Sequence, residues 1–160
     1  MSIRQAQKSD FSIVKEITQT TIQTIYPNYY PPGAVAFFLQ HHNDKSIADD
    51  IAKGIVFLCH DKNNSVVGTV TIRDNEIARL FVLPEYQGKG IGRLLINEIL
   101  QFINDHGVEG TDIFVELCAM PDKIPFYGKF GFSANEAQRL RLFHRVENGV
   151  IQEVNKCRER

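Results

Sequence analysis

The stretch Leu80-Phe81-Val82-Leu83-Pro84-Glu85-Tyr86-Gln87-Gly88-Lys89-Gly90-Ile91-Gly92-Arg93 decides the reading of this 160-residue chain. It describes a strand ending near Leu83, a turn punctuated by three glycines, and a helix opening near Ile91. Glycines let the backbone approach a bulky ligand and adopt conformations closed to other residues, while a helix start supplies unpaired N–H donors and the positive end of a dipole. Such a turn can cradle a pyrophosphate without a basic patch. A Rossmann turn would carry its third glycine one residue later, where Arg93 stands, and the Walker pattern Gly-x-x-x-x-Gly-Lys-Ser/Thr does not occur. On these residues alone, a glycine-rich strand-to-helix turn with no ligand stays open.

Working outward, the helix continues with Leu94, Leu95, Glu98, Ile99, Phe102 and Ile103 near one face and closes at Gly107. Upstream, Ile55 to His60, Val66 to Arg73 and Glu76 to Leu83 read as three antiparallel strands, joined by turn clusters at Asp61 to Ser65 and at Asp74-Asn75. Ile3 to Gln7 reads as a first strand. Ser9 or Asp10 then offers an N-cap for a helix with Phe11, Val14, Ile17, Thr21 and Ile25 at helical spacing, which must stop near Pro27. Tyr26 to Gly33 reads as an aromatic loop, and Ala34 to Gln40 and Ser46 to Lys53 as short helices. Downstream, Asp112 to Cys118 is a strand, Pro121 opens a short helix running through Phe126 and Tyr127 to about Phe130, and Arg139 to Val146 is a late strand. Asn155 to Arg160 read as a frayed polar tail.

The length suits one domain, 1–160, with a core from about 3 to 147. With 43% hydrophobic and 23% charged residues the chain can bury a core, which excludes disorder and collagen-like structure. The formal net charge is −1, so no global positive field would gather nucleic acid or an anionic membrane, and any anionic ligand must be held by local geometry. Cys59, Cys118 and Cys157 match neither a disulfide framework nor a metal-site spacing; free thiols in the cytoplasm and no metal are expected. Residues 17–43 contain no Asp, Glu, Lys or Arg, but Pro27, Pro31, Pro32 and Gly33 interrupt them, so no membrane span is expected.

Gln87-x-x-Gly90-x-Gly92, after the strand Leu80 to Leu83, resembles the acetyl-CoA motif Gln/Arg-x-x-Gly-x-Gly/Ala of the GNAT acetyltransferase superfamily, and Phe126-Tyr127-Gly128-Lys129-Phe130-Gly131-Phe132 resembles its second signature. The resemblance implies an α/β (α+β) fold: a mixed, mostly antiparallel central sheet of six to seven strands flanked by about four helices. It also implies acetyl-CoA as co-substrate, with Leu80, Phe81 and Val82 meeting the pantetheine arm and Gln87, Gly88, Lys89, Gly90, Ile91, Gly92 and Arg93 the phosphates. The chain departs from the family pattern at Met120 and Lys123, where many relatives carry Asn and Ala.

The implied activity is transfer of an acetyl group to a primary amine of a small molecule or peptide by direct attack. The amine must first lose a proton, and the departing thiolate benefits from gaining one. Glu76, placed like the general-base glutamate of some members, is the candidate base provided burial raises its pKa; Glu116, Glu85 and His144 stand in reserve. A solvent-facing strand-end glutamate is the equal alternative for Glu76. Tyr127 matches the family's acid. Tyr26, Tyr29 and Tyr30 are the candidate acceptor wall, alongside Phe37, Phe38, Arg139 and Arg141. A catalytically silent CoA-binding module is the competing function. The reading leaves a homodimer open and expects neither a nucleic-acid nor a membrane partner.

Overall fold

The computed structural model describes residues 1–136 and 139–147. The expected tail at 155–160, and with it Cys157, lies outside the described residues. In chain order the elements are β1 (Ser2–Gln5), α1 (Phe11–Ile25), α2 (Pro32–His41), α3 (Asp44–Ala52), β2 (Val56–His60), β3 (Val66–Arg73), β4 (Glu76–Val82), α4 (Ile91–His106), β5 (Asp112–Cys118), α5 (Ile124–Gly128), β6 (Ser133–Glu136) and β7 (Arg139–Arg145).

Local chemistry sets the boundaries. Helix α1 buries Val14, Ile17, Thr18, Thr21 and Ile22 and gives way to a 3₁₀ turn at Tyr26–Asn28, where Pro27 lacks the N–H needed to continue. Asp10 does not cap α1 through its side chain as expected. Its carboxylate accepts the Gln7 N–H at 2.8 Å and pairs with Arg4 at 2.7 Å, closing a preceding 3₁₀ turn instead. Helix α3 begins two residues earlier than its apolar spacing implies because Asn43 caps it, Oδ1 accepting the Ser46 N–H at 2.9 Å.

The seven strands form one sheet in the order β1-β2-β3-β4-β5-β7-β6. Every neighbouring pair is antiparallel except β4 and β5, which run parallel. Side chains alternate between faces along a strand, and β2 shows which helices cover which face. Val56 and Leu58 pack with Val14, Ile47 and Ile51 of α1 and α3, whereas Phe57 and Cys59 pack with Leu95, Ile99 and Ile103 of α4.

The mixed sheet and four helices of nine or more residues agree with the expected fold class. Strand β6 was not legible in sequence. It is four residues of Ser-Ala-Asn-Glu with no apolar alternation, held at the sheet edge by pairing with β7, so tertiary pairing rather than local preference makes it a strand. Among the described residues, no helix is long and apolar enough to cross a membrane.

Candidate active site

The site begins where the two parallel strands part. Glu76 pairs with Glu116, whose N–H donates to Asn75 O at 2.8 Å, and among the described residues the ladder between β4 and β5 goes no further. On its other edge β4 stays paired with β3, but the register shifts between Thr71 and Ile72, leaving Ala78 as an extra residue that bends the strand. Leu83 N–H donates to Val67 O at 3.0 Å, with Val82 opposite Gly68. Antiparallel bonding alternates, so Leu80 and Val82 turn their N–H and C=O groups away from β3 and into the parting. The Phe81 side chain points to the other face, buried with Ile17 and Ile22.

The parting opens into a cleft of about 800 Å³, within the usual size for a small-molecule site. Its far wall is the glycine turn. Gly88 and Gly90 have φ of 75° and 83°, the left-handed region that favours glycine, and a Cβ at Gly88 would meet nothing within 4 Å, so the backbone there is bare toward solvent. Leu94 N–H bonds Gly90 O at 3.2 Å to close the first turn of α4, and the N–H groups ahead of it have no partner four residues back within the helix. Gly92 has a different reason for being glycine: a Cβ there would lie 3.0 Å from Phe126 Cζ. That contact seats α5 against the start of α4.

Each residue singled out in sequence has a definite place. Leu80, Phe81, Val82, Gln87, Gly88, Gly90, Ile91, Gly92 and Arg93 line the cleft. Lys89 does not; its Nζ lies over the Tyr86 ring, 4.8 Å from the centroid. The exposed Gln87 side chain reaches back to the strand, Nε2 donating to Val82 O at 3.1 Å. Tyr26 and Tyr30 line the cleft with Phe38, their rings 5.6 Å apart, while Tyr29 lies outside it and donates its hydroxyl to Asp122 at 2.6 Å. Met120 and Lys123, the departures from the family pattern, also line it.

Tyr127 sits half-buried on α5 in the cleft wall, its ring 5.0 Å from Phe126 and 6.0 Å from Phe132. Burial, then the neighbouring Tyr26 hydroxyl, pushes its phenol above the ordinary range, so it holds its proton at neutral pH. Tyr26 is pushed up to about 12 for the same first reason, followed by Tyr30 and Cys118.

Glu76 lines the cleft but is exposed, because it is the first residue after the Asp74-Asn75 turn; the burial that the sequence reading required of a base is absent. The reserve carboxylates lie elsewhere. Glu116 accepts from Arg141 Nε at 2.7 Å and is paired with Arg139 at 3.4 Å, and Glu85 is exposed outside the cleft. His144 is bonded to Asn104 at 2.7 Å between β7 and α4.

One part of the cleft was missed in sequence. Arg79 is fully buried, its Nε donating to Thr71 Oγ1 at 3.2 Å and its Nη2 to Asp50. Asp50 is shared with Arg73, whose Nη2 is 2.8 Å from it and 2.6 Å from Ser46 Oγ. Burial pushes the Asp50 carboxyl up, but the bonds from Arg73 and the charge of Arg79 outweigh it and hold it below the usual carboxylate range. His42 stands beside this group, pushed down to about 3 by burial and then by Arg79, and is therefore neutral. The signal was present: Arg79 shares strand parity with buried Phe81, so a cation occupies an inward position.

A mixed sheet parted between its parallel strands, with a glycine-led helix start across the parting, defines the class of fold to which the chain belongs. Comparison with known proteins gives the family. The family model described as an acetyltransferase (GNAT) domain matches residues 25–144, and the chain belongs to the GNAT acetyltransferase family. Two uncharacterized N-acetyltransferases are similar to it. One, from Methanocaldococcus jannaschii, is 32% identical over 73 residues, which is 44% of this chain and 32% of that protein. The other, from Chlorobaculum tepidum, is 30% identical over 118 residues, 71% of this chain and 65% of that protein. The chain thus spans between about a third and two thirds of the length of these curated relatives. Among solved structures, PaiA N-acetyltransferase from Thermoplasma acidophilum in complex with coenzyme A matches with a TM-score of 0.73 at 18% identity, covering 90% of this chain and 98% of that one.

Proposed function

We propose that the chain is an acetyl-CoA-dependent N-acetyltransferase that passes the acetyl group to a primary amine by direct attack. The observation that carries this reading is the meeting of two sets of backbone donors in one cleft: the outward N–H groups of Leu80 and Val82, and the N–H groups at the glycine-led start of α4. These residues fit acetyl-CoA, which supplies an acetyl thioester when bound. The α4 N-terminus and Arg93 suit its phosphates, and the strand edge of β4 suits the amide-bearing arm, as a strand edge suits any extended chain with amide groups.

The chain's own residues then have two proton tasks. Tyr127, kept protonated by burial, holds the proton that a departing thiolate takes. Glu76, exposed at the wet edge of the cleft and without the burial that would make it a stronger base, is placed to pass the amine's proton on through water. Tyr26, Tyr30 and Phe38 form the wall against which the acceptor lies. Free thiols at Cys59 and Cys118 support a cytoplasmic setting.

Calorimetry with acetyl-CoA, followed by a free-thiol release assay against a panel of primary amines, tests the reading. Tight binding with amine-dependent thiol release is the expected result. Binding without turnover on any amine would identify a CoA-binding module instead, and no binding would end the reading altogether.

A further inference from the structure

Tyr29 lies outside the cleft, and its hydroxyl donates to Asp122, 93 positions along the chain, at 2.6 Å. The two ends of this bond belong to opposite sides of the parting. On the β4 side, the turn Tyr26–Asn28 is seated on the sheet through the Tyr26 ring, 6.3 Å from Phe81 and 5.0 Å from Phe38. On the β5 side, Cys118 and Ala119 lead into the turn Pro121–Lys123, which opens α5 and so carries Tyr127. Among the described residues the strand ladder between β4 and β5 ends at Glu76 and Glu116, and the Tyr29–Asp122 bond ties the two sides again beyond it.

The flanking residues show where the tie falls. Tyr26 and Tyr30 line the cleft from one side and Met120 and Lys123 from the other, whereas Tyr29 and Asp122 do not line it. The sides face each other closely enough that, after burial, Cys118 raises the Tyr30 phenol and Tyr26 raises that of Tyr127. The bond therefore runs along the outside of the acceptor end, from the aromatic wall to the wall that holds Tyr127.

An exposed hydrogen bond competes with water and costs conformational freedom, so its persistence depends on how firmly each end is held. Here both ends sit on short, proline-bearing turns closed by backbone bonds. Tyr26 O accepts from the Tyr29 and Tyr30 N–H groups, both at 2.9 Å, between Pro27 and Pro31. Lys123 N–H donates to Met120 O at 2.9 Å across Pro121. Such ends are pre-organised, and little backbone freedom is lost on joining them. The separation of 2.6 Å is that of a hydroxyl on an ionised carboxylate, one of the stronger kinds of hydrogen bond. Lys123 Nζ, 3.7 Å from the Asp122 carboxylate, balances its charge.

Resting on the acetyltransferase reading, we propose that Tyr29 and Asp122 form a clasp that holds the Tyr26, Tyr30 and Phe38 wall opposite Tyr127 and limits the acceptor to an amine narrow enough to pass between them. A slender amine enters with the clasp closed. A wide one must first break the bond. Both residues act through the walls they join, so they are positioning residues and touch neither the amine nor the thioester.

The experiment compares hexylamine with 1-adamantylmethylamine, primary amines of similar basicity and different width, in the thiol-release assay. The parent should prefer hexylamine. Tyr29→Phe should raise the KM for hexylamine about fivefold, with the acetyl-CoA Kd retained, and should lower the preference for the narrow amine by a similar factor. Asp122→Ala should do the same, and the double variant should be no worse than either single one, as two halves of one bond require. Asp122→Asn keeps an accepting oxygen and should stay within about twofold of the parent. Hydrogen exchange of the protein alone supplies a readout that needs no acceptor: Tyr29→Phe should speed exchange across the parting, in residues 119–127, and Asp122→Ala should speed it in residues 26–38. Additive losses in the double variant overturn the clasp, as does a width preference unmoved by Tyr29→Phe, or exchange that changes only on the substituted side. If neither amine is turned over, the exchange result decides alone. Failure to bind acetyl-CoA would remove the acetyltransferase reading, whereas exchange unchanged across the parting would remove the clasp and leave that reading standing.

Discussion

Gln87 Nε2 donates to Val82 O at 3.1 Å, joining the glycine turn to the backbone of β4 at the parting of the sheet. Val82 C=O faces the gap because Val82 is not bonded to β3, and Gln87 satisfies it from the turn. The relationship gives a physical reason for a glutamine at the head of the glycine motif. Its side chain sets the spacing between two rows of backbone donors, one on the strand and one on the helix start.

The bond is exposed and neutral, so its net worth is about 1 kcal/mol. Gln87→Leu should therefore lower the melting temperature by only about 2 to 4 °C while weakening acetyl-CoA roughly fivefold, as the turn loses its tether. Parallel calorimetry and thermal melts check this. A variant that binds acetyl-CoA as well as the parent would show that the tether does not position the cradle.

Gly90 presents a sharper test of the same cradle. At φ 83° a β-branched residue is strained, and its side chain would stand where the backbone must approach the ligand. Gly90→Val should raise the acetyl-CoA Kd by a hundredfold or more, with a smaller loss in folding stability of about 1 to 2 kcal/mol. Normal binding by a folded Gly90→Val protein would remove the helix start from the phosphate site.

Tyr127 owes its raised phenol to burial first and to Tyr26 second. A raised value keeps the phenol protonated as pH rises past its ordinary 10.0, so loss of the acid should not limit the rate below about that pH. Tyr127→Phe should lower kcat about 100-fold or more with the acetyl-CoA Kd nearly intact. Unchanged turnover would take Tyr127 out of the acid role and leave it as packing between Phe126 and Phe132.

Much of this fold was legible because its periodic elements are long. Helix α4 and the strands β2 to β5 carry their apolar pattern in sequence, and Gly90 marks the helix start by composition alone. The parting was not legible, since it depends on a register shift opposite Thr71 and Ile72 and on where β5 stops pairing. Apolar Leu80, Phe81 and Val82 would suit a fully paired strand equally well. Glu76 read as a base because of its position, but exposure is set by the turn before it. The Arg79, Asp50 and His42 group was invisible for a different reason: its members come from β4, α3 and the end of α2, and only the sheet brings them together.

That buried group makes stability pH-dependent in a defined direction. His42 has a folded pKa of about 3 against an ordinary 6.5, depressed by burial and then by Arg79. As pH falls below 6.5 the unfolded chain takes up a proton that the folded chain refuses, so stability present above that pH is lost progressively toward pH 3, at up to roughly 1.4 kcal/mol per pH unit. Denaturant unfolding should therefore show about 2 kcal/mol less stability at pH 5 than at pH 7 from this residue alone. His144, also pushed down by burial, adds in the same direction, while Asp50, held low by its arginines, acts only in more acidic solution. His42→Gln keeps a neutral polar group in place and should flatten most of the slope between pH 7 and 5, leaving the share of His144. An unchanged slope in that variant would mean that His42 is protonated in the folded protein, and that the buried group carries more positive charge than Asp50 and a neutral imidazole allow.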